Sequence, residues 1–286
     1  MVHVEGASGQ SDIYRLLASR LRAVGFYLLV ILLLLPFVFV FFWMGTSSFK
    51  TQRDIFTVPP VWLFEPTWNN YRLVFQEQPF LRYVTNSAIV AVSATAIGMI
   101  LGLPAAYSVA RYRQSTLALG ILAARIMPGV AYLVPLFLLF GQLDILGSHA
   151  GLILSHVLVT FPLTVWVLIG FFEDIPQDLN DAALIDGCSR LGSFVRIAIP
   201  LAQPGIVATA ILSFIFSWND FKFALILSNS ETRTLPVAIY GWVGAGQVEW
   251  GAIMASATMV TLPILLLSLF VQKYIVAGLT IGGVKG

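Results

Sequence analysis

The sequence predicts an all-α polytopic membrane protein with six transmembrane helices. Apolar residues make up 58% of the 286 residues, charged residues make up only 10%, and the mean hydropathy is +0.87. These values lie outside the range of soluble globular domains. Sixteen Lys and Arg residues nearly balance fourteen Asp and Glu residues, so the chain has no basic surface for nucleic acid. The lipid bilayer is its predicted surroundings.

Six apolar runs are long enough to cross the hydrocarbon core, which takes about 20 helical residues. The predicted spans are residues 24–46, 84–109, 116–141, 151–172, 205–228 and 249–273. The segments between and beside them include an N-terminal segment, a long loop, a polar loop and a C-terminal tail, at residues 1–23, 47–83, 173–204 and 276–286. The first run has no small-residue cleavage site, so we interpret it as an anchor rather than a removed signal peptide.

Basic residues next to the spans predict the orientation of the chain, because Lys and Arg concentrate in cytoplasmic loops. Both termini and the polar loop 173–204 are predicted to be cytoplasmic, and loop 47–83 to be on the outer side. The residues that favour this orientation are Arg15, Arg20, Arg22, Arg111, Arg113, Arg190, Arg196, Lys273 and Lys285. The outer loop is rich in proline and tryptophan, which predicts an irregular segment that is either a partner surface or a spacer.

Small residues recur at every fourth position of the second span and predict a tightly packed helix. Such a ridge lets another helix approach closely, so this span should lie inside the bundle. The ridge consists of Ala94, Gly98, Gly102, Ala106 and Ala110. Prolines within the spans predict several kinked helices; they are Pro36, Pro104, Pro128, Pro135, Pro162 and Pro263.

Polar side chains at membrane depth are uncommon and mark candidate sites along a substrate path. Arg125 in the third span either lines a pore or extends its guanidinium to the cytoplasmic interface. Asn219 and Asp220 in the fifth span either line a polar path or make a hydrogen bond between helices. Because Asp220 and Lys222 are two residues apart, a continuous helix would not let them face each other. We interpret His156 as a packing residue.

The polar loop 173–204 interrupts the apolar second half of the chain. Pro176 suits the first turn of a helix and Gly187 suits a left-handed helix end, which predicts a short helix over Pro176–Asp186. An apolar stripe from Leu191 to Ala198 predicts a second helix that stops at Pro200. The alternative is an ordinary solvated loop.

The residues of this loop resemble a family motif. Asp181-Ala182-Ala183, followed by Gly187 and then by Ile197 and Ile199-Pro200, resembles the E-A-A, three residues, G, I-x-L-P motif of bacterial ABC importer permeases. Asp replaces Glu at 181 and Ile replaces Leu at 199, and both changes keep charge or bulk. Three further stretches resemble the maltose-type carbohydrate branch of that family: Ser48-Phe49-Lys50 with Asn70-Tyr71, Trp218-Asn219-Asp220, and Gly278 to Gly286.

This resemblance implies a permease core over residues 84–275 that forms half of a sugar translocation pore in the bacterial cytoplasmic membrane. It implies as partners a second permease chain, two copies of an ABC ATPase and an extracytoplasmic solute-binding protein. The residues expected to dock the ATPase are Asp181, Ala182, Ala183, Asp186, Gly187, Arg190 and Pro200, and a tail with Gly282, Gly283 and Lys285 is expected to contact it. The candidate substrate path consists of Arg125, Asn219 and Asp220.

No G-x-x-x-x-G-K-[ST] phosphate loop occurs in the sequence, so we expect ATP and Mg²⁺ to be used by the partner ATPase and no cofactor to be bound by this chain. Three scattered histidines and one cysteine lack metal-ligand spacing, so no metal site is predicted. The competing hypotheses are an ion-coupled secondary transporter, for which Asp220 is the only candidate intramembrane carboxylate, and a membrane-embedded enzyme, for which no cluster of catalytic residues is visible.

Overall fold

The computed structural model describes residues 6–243 and 248–282, and the elements in these two ranges are helical apart from one isolated bridge. The first half comprises α1 (Gly6–Ser47), α2 (Gln52–Phe56), α3 (Asn69–Glu77), α4 (Phe80–Tyr112), α5 (Ser115–Ile126), a 3₁₀ turn (Gly129–Tyr132) and α6 (Leu133–Gln142). The second half comprises α7 (His149–Glu173), α8 (Gln177–Ile185), α9 (Arg190–Ser193), a π turn (Phe194–Ala198), α10 (Ile199–Leu201), α11 (Gln203–Trp218), α12 (Lys222–Leu227), α13 (Leu235–Tyr240) and α14 (Trp250–Gly282).

Within the described residues, four helical stretches are long and apolar enough to cross a membrane. They are Arg20–Ser47, Phe80–Tyr112, His149–Glu173 and Trp250–Phe270. Two bent pairs raise the number to as many as six: Ser115–Ile126 with Gly129–Gln142, bent by 87°, and Arg190–Leu201 with Gln203–Trp218, bent by 79°. The first and last helices are longer than the predicted spans. The helix α1 begins at Gly6, and α14 continues to Gly282, into the predicted tail.

The third span, predicted over 116–141, is interrupted at Pro128, one of the prolines predicted to kink a helix. It breaks after Ile126, where Met127 is extended and Pro128 has no N–H to continue the helix. The fifth span, predicted over 205–228, likewise ends at Trp218 and resumes at Lys222. The two breaks give spans 3 and 5 a non-helical stretch within their length.

The small-residue ridge of α4 is buried as predicted, and it packs against α7. Thr160 of α7 donates a hydrogen bond to the carbonyl of Ala94 over 3.1 Å. A Cβ placed on Gly98 would lie 2.8 Å from the Thr160 hydroxyl, and one on Gly102 would lie 2.6 Å from the Thr164 methyl group. These distances are too short for any side chain, so the close approach of α4 and α7 depends on the two glycines.

Replacing Gly102 by leucine is therefore expected to prevent α4 from packing on α7. Overpacking of this kind costs roughly 1–3 kcal/mol or more, and the neighbouring Thr164 side chain is fully buried. We expect the yield of folded protein and its melting temperature in detergent to fall. Gly120→Leu is the matched control, because a Cβ there meets no atom within 4 Å. Equal stability of the two variants would show that the ridge does not determine packing.

The outer loop is more ordered than predicted, because α2 and α3 fold it back onto the helix ends. The Ser48 and Tyr71 hydroxyls share a 2.9 Å hydrogen bond, and the Asn70 amide donates to the Ser48 and Lys50 carbonyls at 2.8 Å each. Lys50 is 1% exposed, and its ammonium lies 4.5 Å from the centre of the Trp43 ring. Two separate stretches of the loop are thus joined into one structure.

Candidate functional site: the docking segment and the breaks in spans 3 and 5

The first helix of the polar loop, α8, is one residue shorter at each end than the predicted helix Pro176–Asp186, and its left-handed end lies at Gly187 as predicted. Pro176 precedes its first residue, and Gly187 follows its C-cap with a left-handed φ of +85°. The Cys188 N–H bonds to the Ala183 carbonyl over 2.9 Å, and the Gly187 N–H bonds to the Leu184 carbonyl over 3.1 Å. These two bonds are the Schellman arrangement, which needs the left-handed residue.

The two faces of α8 differ in exposure and divide the predicted docking residues. Asn180 and Ala183 are buried, with only 5% and 6% of their surface exposed, whereas Ile185 is 86% exposed. The exposed face holds Asp178, Leu179, Asp181, Ala182, Leu184, Ile185 and Asp186. Of the pair Ala182 and Ala183, only Ala182 is exposed, whereas Ala183 is buried within the chain. The assignment of both residues to ATPase docking stays a prediction. The exposed apolar side chains have no cover within the described residues.

The second helix of the loop does not stop at Pro200 as predicted, because the helical run continues to Leu201. A π turn precedes the proline, in which the Ile199 N–H bonds to the Phe194 carbonyl five residues back. Pro200 itself is exposed. The run then turns by 79° into α11. The polar loop 173–204, which we call the docking segment, is therefore joined directly to the fifth span.

Three side-chain contacts tie the docking segment to the end of α4. Asp181 pairs with Arg111. The Arg190 guanidinium donates to the Tyr112 hydroxyl over 3.2 Å. The Asn180 amide oxygen accepts from the Tyr107 hydroxyl over 3.2 Å and from the Ser193 hydroxyl over 2.8 Å. Sequence analysis did not predict that four residues make these contacts: Tyr107, Arg111, Tyr112 and Asn180. Their partners in the contacts between α4 and the loop lie 70 or more residues away in the chain, so no local pattern marks them.

The break in span 5 is built around Asp220. Its carboxylate accepts the Phe223 N–H over 2.9 Å, and its other oxygen lies 4.0 Å from the Lys222 ammonium. The prediction that Asp220 and Lys222 do not pair is wrong, because it assumed a continuous helix and the helix is interrupted between them. His156 is 2% exposed, bonds to the Ser217 hydroxyl over 2.7 Å, and has its other ring nitrogen 3.9 Å from Asp220. His156 is therefore buried, and its interpretation as a packing residue stays a prediction.

The breaks in spans 3 and 5 lie side by side. A Cβ placed on Gly129, just after the break in span 3, would be 3.0 Å from the Lys222 ammonium. Arg125, just before that break, has its guanidinium carbon 5.6 Å from the centre of the Phe216 ring. The structure thus places the Lys222 ammonium of span 5 beside the break in span 3, and the Arg125 guanidinium of span 3 beside a ring of span 5.

The three predicted path residues differ in their exposure. Arg125 and Asn219 are exposed, whereas the Asp220 side chain is only 11% exposed. Lys222, half-exposed at 50%, joins Arg125 and Asn219 on the surface. Exposed cations are costly against lipid, so this surface is suited to water or to a protein partner.

Of the predicted tail contacts, Gly282 is the last described residue of α14. Gly283 and Lys285 lie outside the described residues.

The comparisons with known proteins agree with this architecture. Residues 94–281 match the family described as binding-protein-dependent transport system inner membrane component. The chain belongs to this family. It is 37% identical over 261 residues to the sulfoquinovosyl glycerol transport system permease protein of Agrobacterium fabrum, covering 89% of this chain and 91% of the relative. It is 33% identical over 273 residues to the trehalose/maltose transport system permease protein of Thermococcus litoralis, covering 93% and 96%.

Solved structures show the same fold. A crystal structure of a bacterial ABC transporter involved in alginate import matches with a TM-score of 0.70 and 19% identity, over 96% of this chain and 99% of that chain. The alginate transporter in complex with alginate pentasaccharide-bound periplasmic protein matches with a TM-score of 0.60 and 16% identity, over 91% and 94%.

Membership of this family confirms the resemblance drawn from the docking loop. The binding-protein-dependent permease is a multi-pass membrane protein of an ABC importer, and its role is transport. The alternative hypothesis of an ion-coupled secondary transporter is not supported.

Proposed function

We propose that this permease carries a sugar, an oligosaccharide, a polyol or a sugar derivative across the bacterial cytoplasmic membrane and forms one half of the pore. The single observation that carries the proposal is the docking segment. An exposed acidic and apolar helix face is held against the ends of the spans by Arg111 and Tyr107, where a second protein can push on it. The relatives are named as permeases for trehalose and maltose or for sulfoquinovosyl glycerol. These names support a carbohydrate or sugar derivative as the substrate.

The other half of the pore is a second permease chain of the same family. Two copies of an ABC ATPase bind beneath the membrane and use ATP with Mg²⁺, since this chain has no phosphate loop of its own. An extracytoplasmic solute-binding protein delivers the sugar, as the family description and the structure of the alginate transporter suggest. This chain binds no cofactor in the proposal, and both of its termini are cytoplasmic.

Docking is assigned to the exposed face of α8 and to the turn at Gly187. Ile185, exposed at 86%, fits an apolar cleft of the ATPase, and the absence of a Cβ at Gly187 leaves open space beside it. Asp181 is 56% exposed in its pair with Arg111, so it remains accessible to a basic group of the ATPase. Asp186, Arg190 and Pro200 border this surface, and the tail with Gly282, Gly283 and Lys285 is assigned to the same partner.

The substrate path is assigned to the surface where the breaks in spans 3 and 5 meet. Arg125, Asn219 and Lys222 offer hydrogen-bond donors to sugar hydroxyl groups, and an interrupted helix is suited to lining a polar cavity within the membrane. Asp220 stabilises the break in span 5, because its carboxylate accepts the Phe223 N–H.

Reconstitution tests the proposal. The chain, the second permease and the ATPase are placed in proteoliposomes with the binding protein, and uptake of sugars from a panel is measured with and without internal ATP. We expect ATP-dependent uptake of at least one sugar or polyol, and no ATP hydrolysis by the purified chain alone. Uptake driven by a proton or sodium gradient without ATP would contradict the proposal.

A further inference from the structure

A polar cavity of about 280 Å³ lies between the docking segment and the membrane bundle. It is bounded by the end of α4, the end of α7 and the start of α8. Its polar lining residues are Tyr107, Arg111, Arg113, Glu173, Gln177 and Asn180. This volume is at the small end of ligand sites, which range from roughly 300 to 1,000 Å³, so it suits a small polar group rather than a whole sugar chain.

The groups that line the cavity are mainly hydrogen-bond donors. The Asn180 amide oxygen is already used by the Tyr107 and Ser193 hydroxyls, which leaves its NH₂ group as a donor, and Asn180 is 5% exposed. Among the described residues, no hydrogen bond from that NH₂ group is found. Arg111 donates to Asp181 from one of its nitrogens. Because an arginine carries five N–H donors in all, Arg111 has further donors besides this one.

Arg113 is an exposed cation at the rim of the same cavity. It follows α4 in the left-handed conformation, with φ of +51°, and no ion pair of Arg113 is found within the described residues. Glu173 is the one carboxylate that lines the cavity. Arg111 is partly neutralised by Asp181 outside the lining, which leaves Arg113 as the guanidinium without an ion pair among the described residues. Arginine forks match the geometry of phosphate oxygens.

The cavity also lies at the end of a helix that can cross the membrane. The helix α4 is long and apolar enough to cross the membrane, and Arg111 and Arg113 stand at its end. Basic pockets between helices at the cytoplasmic side are suited to phosphate-bearing headgroups.

We propose that this cavity binds a phosphate group, supplied either by the headgroup of an anionic phospholipid or by a soluble phosphate ester. The phosphate contacts Arg113, the free donors of Arg111 and the Asn180 amide. Because residues of α4, α7 and α8 all line the cavity, the occupant adds to the direct contacts that hold the docking helix against the bundle. The site goes beyond the proposed transport function, and only the choice of membrane leaflet depends on the proposed orientation.

Binding to the purified complex, followed by native mass spectrometry, tests this proposal independently of transport. The probes are phosphatidylglycerol, a galactosyl diacylglycerol with the same acyl chains and no phosphate, and glycerol 3-phosphate. Arg113→Asn removes the cation and keeps a residue type that tolerates positive φ. Asn180→Asp keeps the acceptor for Tyr107 and Ser193, removes the NH₂ donor and adds a negative charge. Arg72→Asn, at an exposed position in α3, is the matched control.

We expect the wild-type complex to bind phosphatidylglycerol or glycerol 3-phosphate about fivefold more tightly than the Arg113→Asn complex, the contribution of one basic residue near a phosphate. Asn180→Asp should weaken binding at least as much, and Arg72→Asn should leave it unchanged. Dependence on Arg113 for the lipid alone identifies a headgroup, and dependence for glycerol 3-phosphate identifies a soluble ligand. The proposal is overturned if neither phosphate-bearing probe distinguishes Arg113→Asn from wild type, if Arg72→Asn has the same effect, or if binding of the galactolipid depends on Arg113 to the same extent.

Discussion

Replacing Gly187 by aspartate is expected to leave the membrane bundle folded and to reduce ATP-driven uptake by about tenfold or more. Two effects combine at this position. A residue with a Cβ pays about 1 kcal/mol to adopt the left-handed conformation that the Schellman turn needs. In the proposed complex the new carboxylate also enters the surface assigned to ATPase docking, where an unpaired buried charge would cost several kcal/mol. Each 1.4 kcal/mol is a factor of ten.

Folding should survive because a Cβ at Gly187 meets no atom within 4 Å in the chain itself. The measurements are co-purification of the ATPase, sugar-stimulated ATP hydrolysis and uptake. Ser189→Asp is the matched control, since it adds a carboxylate two residues away and aspartate is as good a helix N-cap as serine. Co-purification, hydrolysis and uptake at wild-type levels in Gly187→Asp would contradict the assignment of this turn to ATPase docking.

Replacing Asp220 by alanine is expected to cause a large loss of uptake in a complex that still assembles. The carboxylate is the acceptor for the Phe223 N–H and the nearest acidic group to Lys222. Losing such a cap costs about 0.5–2 kcal/mol, and it leaves Lys222 without its partner at membrane depth. We therefore expect the break in span 5 to change shape and the surface with Arg125 and Asn219 to be displaced.

Asp220→Asn separates the two contributions, because asparagine keeps an acceptor for the Phe223 N–H and removes the charge. Its uptake should lie between those of wild type and Asp220→Ala. Asp144→Asn, in an exposed turn with positive φ, is the control and should retain wild-type uptake. An assembled Asp220→Ala complex with unchanged uptake would show that this carboxylate is not needed for transport.

The features that sequence predicted correctly are local or periodic. The Schellman turn at Gly187 depends on a few consecutive residues, and the α4 ridge on one small residue in each turn. The break at Asn219 and Asp220 was missed because these residues lie inside a long apolar run with no proline. The burial of Ala183 and the bond between Tyr107 and Asn180 both depend on how α8 packs in the folded chain. No window of sequence contains both partners.

The contacts between the docking segment and α4 have a mechanical consequence. A load applied to α8 passes through Arg111 and Asn180 into the end of α4. The glycines at 98 and 102 leave no room between α4 and α7, so we expect the two helices to move together as a stiff pair. The compliant parts of the molecule are then the two breaks, where hydrogen-bonded helix is absent. Displacement imposed at the docking segment would be concentrated at the junction of Gly129 and Lys222, which acts as the joint.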